Sequence, residues 1–301
     1  MNRGLRSSLI SHHSSLVLAL LLLSCREQPP ATTLDDLARD VALPRQIRRV
    51  ITLSPNLTEM VYAVGAGDRL VGADDFSNFP REAWRLPKVG GMQPNLEKIV
   101  QLKPDLVLAS TEGNHPNLAP ALAAAKIPLF VIRTDRIAEI APAMQRIGDL
   151  LHAPRTKDAM RELEVAVENQ RRQRTDKRRV LFAVWTDPLY VAGRETFTDD
   201  LFALTGAENA VKVKGWPQYS LESLVASPPD LILYPRGAVT EQQVDALLKR
   251  AGLQTRVIAV HEDIFQRPGP RMADAAASLN AILDLDAHRP GEHRPSESPA
   301  R

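Results

Sequence analysis

Short apolar runs alternate along the chain with segments whose apolar residues recur three or four positions apart. The runs are Arg49-Val50-Ile51-Thr52-Leu53, Arg69-Leu70-Val71-Gly72-Ala73, Leu106-Val107-Leu108-Ala109 and Leu129-Phe130-Val131-Ile132 in the first half. In the second half they are Val180-Leu181-Phe182-Ala183-Val184, Leu231-Ile232-Leu233 and Val257-Ile258-Ala259-Val260. Runs of this length bounded by turn residues predict buried strands. Between them, Leu57, Met60, Val61 and Val64 predict one helix, with Asn56 or Thr58 to cap it and Pro55 at the turn. Further helices are predicted over 118–125, 244–251 and 272–283, and another starts at Thr198-Asp199-Asp200. Strand and helix in strict alternation predict an α/β chain with parallel sheets.

The pattern occurs twice. Asn95-Leu96-Glu97-Lys98-Ile99-Val100-Gln101-Leu102-Lys103-Pro104-Asp105-Leu106-Val107-Leu108 aligns without a gap to Ser220-Leu221-Glu222-Ser223-Leu224-Val225-Ala226-Ser227-Pro228-Pro229-Asp230-Leu231-Ile232-Leu233, an offset of 125 from Asn95 to Ser220. Each copy predicts a short helix ended by proline and running into a buried strand. Solenoid repeats have much shorter periods, so the match predicts two similar lobes. The first spans 48–152 and the second 178–285. The apolar stripe Ile137, Ile140, Met144, Ile147 and Leu151 leads into a connecting helix over 153–177. Its helical part, 155–174, would span roughly 30 Å. Arg171-Arg172-Gln173-Arg174 near its end is read as cations complementing the helix dipole. Gly65-Ala66-Gly67 lacks the third glycine of a dinucleotide fingerprint and follows a helix, so it is read as a C-terminal cap.

The 301 residues are 44% hydrophobic and 25% charged with a formal net charge of +2, which suits two modest globular lobes and points to no polyanionic partner. The single cysteine, Cys25, excludes an internal disulfide. Arg3 and Arg6 precede the apolar core of residues 16–23, which is too short to span a bilayer and ends in Leu22-Leu23-Ser24-Cys25. This resembles a bacterial lipobox in a signal peptide of residues 1–25. The resemblance implies that Cys25 is lipidated and anchors the protein to a membrane; Arg26 after it favours the inner leaflet of the outer membrane in a Gram-negative cell. Residues 26–47 are expected to be a tether, with a little structure against the first lobe over 34–44. Residues 286–301 are expected to be a disordered tail.

In open parallel sheets ligands bind beyond the carboxyl ends of the strands. Those loops carry Asn56, Phe76, Asn114, Trp185, Tyr190, Trp216, Pro217, Gln218, Tyr234 and Phe265, although only 5% of the chain is aromatic. As a set they suggest a cleft for a large, flat, partly apolar ligand. The chain has no P-loop, H-E-x-x-H or G-x-S-x-G motif and no cysteine nucleophile in its body, so no enzyme activity is expected. His115 and His261 lack a third partner in sequence, and no metal site is expected.

Together these features resemble the ABC-importer substrate-binding proteins of the cobalamin and ferric-siderophore class. The matching motifs are residues 50–59, Asn95-Leu96-Glu97 through Pro104-Asp105-Leu106, Trp216-Pro217-Gln218 with Ser220-Leu221-Glu222, and Arg267-Pro268-Gly269-Pro270-Arg271. The resemblance implies two lobes on one stiff backbone helix with a ligand cleft between them. It implies cobalamin as ligand, with a ferric siderophore or haem as the alternative. In the alternative, Arg194, Arg236 and Arg271 pair with ligand carboxylates or phenolates. It also implies a monomer in the periplasm that delivers to an ABC permease dimer with its ATPase subunits, and no nucleic-acid partner. Trp216 would contact the corrin, Arg271 would belong to the cleft, and Glu97 and Glu222 would dock one on each permease subunit.

Overall fold

The computed structural model describes residues 31–111 and 117–287. Its first lobe begins with a hairpin of β1 (Ala31–Leu34) and β2 (Asp40–Leu43), then builds a sheet from β3 (Val50–Thr52), β4 (Leu70–Ala73), β5 (Leu106–Ser110) and β6 (Leu129–Ile132). The order is β4-β3-β5-β6 and every pairing is parallel. Helices α1 (Pro55–Ala63), α2 (Leu96–Gln101) and α3 (Leu118–Ala124) make the crossovers. Two helices follow, α4 (Ile137–Leu151) and α5 (Thr156–Glu168). The second lobe contains β7 (Arg179–Thr186), β8 (Leu189–Val191), α6 (Phe197–Leu204), β9 (Glu208–Asn209), α7 (Leu221–Ala226), β10 (Leu231–Arg236), α8 (Glu241–Ala251), β11 (Arg256–His261), α9 (Glu262–Phe265) and α10 (Met272–Ala287). Its strands run β11-β10-β7-β8, with β9 also parallel to β7 and β8 antiparallel to it. The expected two-lobed α/β architecture with parallel cores is therefore present.

The apolar runs form strands because both faces of each sheet are covered. β3 and β5 are buried along their whole length, as parallel strands between helices must be. Pro55 occupies the first turn of α1, but Ser54 is the N-cap, so Asn56 and Thr58 are buried inside the helix and do not cap it. Gly65 follows α1 with φ of +83°, the left-handed conformation expected of a helix-ending glycine.

Three expectations need correction. Residues 31–47 carry more than the little structure expected over 34–44: Val41, Leu43 and Ile47 enter the core, and the hairpin turn covers the outer edge of β6. Asp36 N–H donates to Val131 O (3.0 Å), Asp35 Oδ2 accepts from Val131 N–H (3.3 Å), and Asp36 Oδ2 accepts from Arg133 N–H (2.7 Å). An edge strand with unpaired backbone groups gains by such cover. The connecting helix is also shorter than expected. α4 ends at His152 in a left-handed conformation, and α5 stops after 13 residues, about 20 Å. The arginines beyond it serve the neighbouring helix: Arg172 N–H donates to Leu204 O and Arg174 Nε to Thr205 O, at the carbonyl end of α6. Finally, α10 continues through Asp286, which pairs with Arg178 and Arg256, so residues 286 and 287 belong to the second lobe; the rest of the expected tail, 288–301, lies outside the described residues.

One apolar cluster runs through both lobes, from Leu57, Met60 and Phe130 through Met144, Ile147 and Leu163 to Phe182, Phe202 and Leu279. The lobes thus share a core beneath the cleft.

Candidate functional site: the cleft between the lobes

The carboxyl ends of the strands in the two sheets enclose a cleft of about 690 Å³, within the usual range for small-molecule sites. The first lobe contributes Leu53, Ser54 and Asn56 after β3, Asp74 and Phe76 after β4, and Ser110 at the end of β5. The second contributes Gly237 after β10, Glu262 and Asp263 on α9, and Gln266, Arg267 and Pro268 beyond it.

Asn56 sits where α1 begins and ties the lobes together. Its Nδ2 donates to Thr134 Oγ1 (3.0 Å) and, across the cleft floor, to Pro268 O (3.2 Å), while Ser54 Oγ donates to its Oδ1 (2.7 Å). Phe76 is 56% exposed, and its ring lies against Gly91, where an added Cβ would come within 2.7 Å of it. Only a glycine lets the ring occupy that wall. Beneath it Asp74 is buried, and that burial raises its pKa above the ordinary carboxylate value although Ser77 and the nearby Lys88 and Arg267 charges oppose the rise. Burial likewise lowers the Lys88 ammonium, which donates to Ser77 O and Ala83 O.

Ion pairs fix the lobes on either side of this floor. Glu59 of α1, 3% exposed, accepts from Arg271 Nε (2.9 Å) and Nη2 (2.5 Å) and from Arg267 Nη1 (3.3 Å). Arg267 also reaches Asn78 Oδ1 and Phe76 O and pairs with Asp263, and Asn78 donates to Asp263 in turn. The Arg271 guanidinium lies 4.2 Å from the centre of the Phe79 ring. A further pair between the lobes joins Arg136 to Asp200.

The predicted aromatic residues divide into two groups. Trp185 and Tyr190 are register partners on the β7–β8 hairpin, so they sit on paired strands and not on the expected loop. Val191 N–H donates to Pro217 O and Tyr219 N–H to Leu189 O, which lays Pro217 and Gln218 along β8. The Trp216 ring packs at 5.5 Å on Phe197. Trp185, Tyr190 and Trp216 remain more than a third exposed. They stand at the carboxyl end of β7, the end of the second sheet that faces the cleft, but outside the lining of the cavity itself.

The other aromatic assignments are corrected. Phe265 is fully buried and stacks on Phe182 at 6.3 Å, whereas Asp263, on the opposite face of the single turn of α9, lines the cleft. Tyr234 lies in the core with Val239 and Val244. Arg271 is committed to Glu59 and Phe79 and does not line the cavity. Asn114 and His115 lie outside the described residues, as does Cys25. His261 is exposed at the end of β11, and among the described residues no cluster of three or more potential ligands could hold a metal. Sequence reasoning missed Asp74, Glu262 and Asp263 as cleft residues. The strand-end rule had marked their loops, but an acidic side chain in a turn has a local explanation that hides its other role.

Glu97 and Glu222 are exposed in the first turns of α2 and α7. These helices return antiparallel to the strands, so their first turns lie at the cleft end of each lobe. Asn95 and Ser220 side chains cap them by accepting from Lys98 N–H (3.0 Å) and Ser223 N–H (3.1 Å). Backbone N–H and the Ser220 hydroxyl hold the Glu222 carboxyl below its ordinary pKa.

Residues 50–262 match the family model of the periplasmic binding proteins. The chain belongs to that family. It is 33% identical over 239 residues to the vitamin B12-binding protein of Photorhabdus laumondii, covering 77% of this chain and 86% of that protein. Among solved structures, the periplasmic heme-binding protein of Roseiflexus sp. RS-1 superposes with a TM-score of 0.72 at 27% identity, over 81% of this chain and 100% of that one. The periplasmic vitamin B12 binding protein of Vibrio cholerae superposes with a TM-score of 0.64 at 25% identity, over 82% and 100%. The pairs of Glu59 with Arg267 and Arg271 join the two lobes of this chain across the cleft floor.

Proposed function

We propose that this periplasmic binding protein is the lipid-anchored capture component of an ABC importer and that its ligand is cobalamin. The observation that carries the ligand choice is the charge of the cleft. Asp74, Glu262 and Asp263 line it, and Arg267, the single cation among the described lining residues, is already held by Glu59 and Asp263. A ligand that presents carboxylates or phenolates needs cations at the cleft wall. Cobalamin, edged by neutral amides, meets hydrogen-bonding carboxylates and backbone instead. The B12-binding relatives support this reading. Trp185, Tyr190 and Trp216 then offer apolar faces to the corrin from the second lobe and Phe76 from the first, with Gln218 and Asn56 as polar contacts.

Haem is the second reading, supported by the Roseiflexus protein and by Met92, which borders the cleft and offers a thioether to iron. The absorption spectrum of protein purified from rich medium separates the two, since corrin and haem bands differ. Calorimetric titration with cobalamin then tests the site. Trp216→Ala should weaken binding by about 2 kcal/mol or more, over tenfold. Binding of haem but not cobalamin by the wild type would overturn the ligand assignment.

Capture needs no covalent chemistry, and a cleft already formed in the free protein keeps the ordering cost of binding low. Delivery is assigned to Glu97 and Glu222, one acidic contact per lobe for each half of a permease dimer. Glu97→Arg with Glu222→Arg should abolish uptake and leave ligand affinity intact; normal uptake would refute the assignment. Anchoring is assigned to Cys25, and unchanged membrane fractionation of Cys25→Ala would refute it.

A further inference from the structure

The repeat extends from sequence to burial. Position by position from 93 to 110 and from 218 to 235, the pattern of buried, half-buried and exposed residues is the same in the two lobes. Ile99 and Leu224 are fully buried at matching places. Val100 and Val225, the next residues, are 42% and 48% exposed. Each valine is three positions after its glutamate, so each helix presents an acidic and an apolar side chain as neighbours on one face. A single exposed valine is unremarkable. Two at the same place of two diverged lobes, each in a six-residue helix where a β-branched residue lowers helix propensity, call for a reason outside the lobe.

Both helices are also held more firmly than their length predicts. A six-residue helix is marginal alone. At the carbonyl end of α2, Arg49 donates to Leu102 O (2.6 Å) and Lys103 O (3.0 Å). At the same place after α7, Arg179 donates to Pro228 O (2.9 Å) and Ser227 O (3.4 Å). The aspartate of each Pro-Asp pair accepts the backbone N–H of that arginine, Asp105 from Arg49 at 2.9 Å and Asp230 from Arg179 at 2.8 Å. Each helix is thus capped at its first turn, clamped at its last, and fixed to the first strand of its own sheet.

We propose that Val100 and Val225 are docking contacts, each forming with its glutamate one preorganised acidic-and-apolar knob. The partner is a two-fold-symmetric membrane protein whose halves each offer a cation beside an apolar recess. This rests on the assignment of Glu97 and Glu222 to permease docking and adds the apolar half of the contact. Two like knobs on one chain fit a partner with two like receptors, and the glutamates set the charge that each receptor must carry. The glutamate speeds encounter and the valine, once covered, slows release.

The test uses the mature full-length protein and the cognate permease–ATPase complex in lipid nanodiscs, with association and dissociation followed at several salt concentrations. Val100→Thr and Val225→Thr keep shape and β-branching while adding a hydroxyl that the recess must desolvate. Each should weaken docking roughly three- to tenfold through faster dissociation, and the double variant by about the product of the two. The salt dependence of association, the melting temperature and ligand affinity should not change. Val→Ile at both places should dock within about twofold of wild type. Docking of the double threonine variant within twofold of wild type, while Glu97→Arg with Glu222→Arg abolishes it, would overturn the valine assignment and leave the glutamates standing. A defect from one valine alone would overturn the two-fold knob. Undiminished docking of the double arginine variant would overturn the underlying docking assignment itself.

Discussion

Replacing Glu59 with glutamine removes the charge on which the lobes are hinged. The carboxylate is 3% exposed and receives three hydrogen bonds from two guanidinium groups, two from Arg271 and one from Arg267. Hydrogen bonds to a charged group contribute about 1.5–3 kcal/mol each, but desolvating both partners offsets much of that sum. Removing one partner is costlier than the net worth of the pair, because the other charge stays buried. In Glu59→Gln the new amide also turns a donor toward a donor. Arg267 keeps Asp263, Asn78 and Phe76 O, whereas Arg271 keeps only the face of Phe79 among the partners described here. The expected loss is about 3–5 kcal/mol, a large share of the stability of a typical domain. Urea denaturation of wild type, Glu59→Gln, Arg271→Ala and the double variant measures it. The double variant should be less destabilised than the sum of the singles by about 1 kcal/mol or more. Ligand affinity should fall in Glu59→Gln, since the lobes must be ordered on binding. A loss below about 1 kcal/mol, or singles that add within about 0.5 kcal/mol, would refute the interlobe pair as a stabilising element.

Two further predictions have opposite pH signs. Asp74 has a raised folded pKa, so the stability it contributes is present below the ordinary aspartate range and is lost as pH rises through the folded pKa. Asp74→Asn should therefore raise the melting temperature at pH 7 and not at pH 3; no gain at pH 7 would refute the buried charge. Burial alone would raise Asp35, but hydrogen bonds from Arg39 and from the Leu37 N–H outweigh it and the pKa is lowered. Its contribution is present above the ordinary aspartate range and lost as pH falls through the folded pKa. Asp35→Ala should cost about 1–3 kcal/mol at pH 7 and little in acid, and amide exchange of β6 should rise with it; unchanged protection of Val131 would refute the edge cover.

Much of the fold was legible in the chain because its signals are local. Runs such as Val50-Ile51-Thr52-Leu53 and Leu106-Val107-Leu108 can be satisfied only as strands buried on both faces, and the repeat around Leu96-Glu97 and Leu221-Glu222 announces the second lobe. The lengths of the linking helices were not legible. Met160, Leu163 and Val167 keep helical spacing and no proline or glycine marks a stop before Arg174, yet α5 ends at Glu168, and Arg172 and Arg174 beyond it find carbonyls at the end of α6, more than 30 positions away. Some structure was legible over 34–44, but the hairpin of 31–43 was not, for the same reason, since its partner is the edge of β6.

For the cleft, sequence determined which loops gather, because strand ends of parallel sheets share one side. It also determined the chemistry each loop could bring. Which side chain of a loop faces the ligand was decided only in three dimensions. Phe265 and Asp263 are two residues apart, on opposite faces of a single turn of helix, so one enters the core and the other lines the cleft. Arg271 carries a motif in the chain, but its charge is consumed by Glu59, 212 positions away. Local periodicity encodes burial along an element, whereas the pairing of charges and the closure of a cavity depend on where distant elements come to rest.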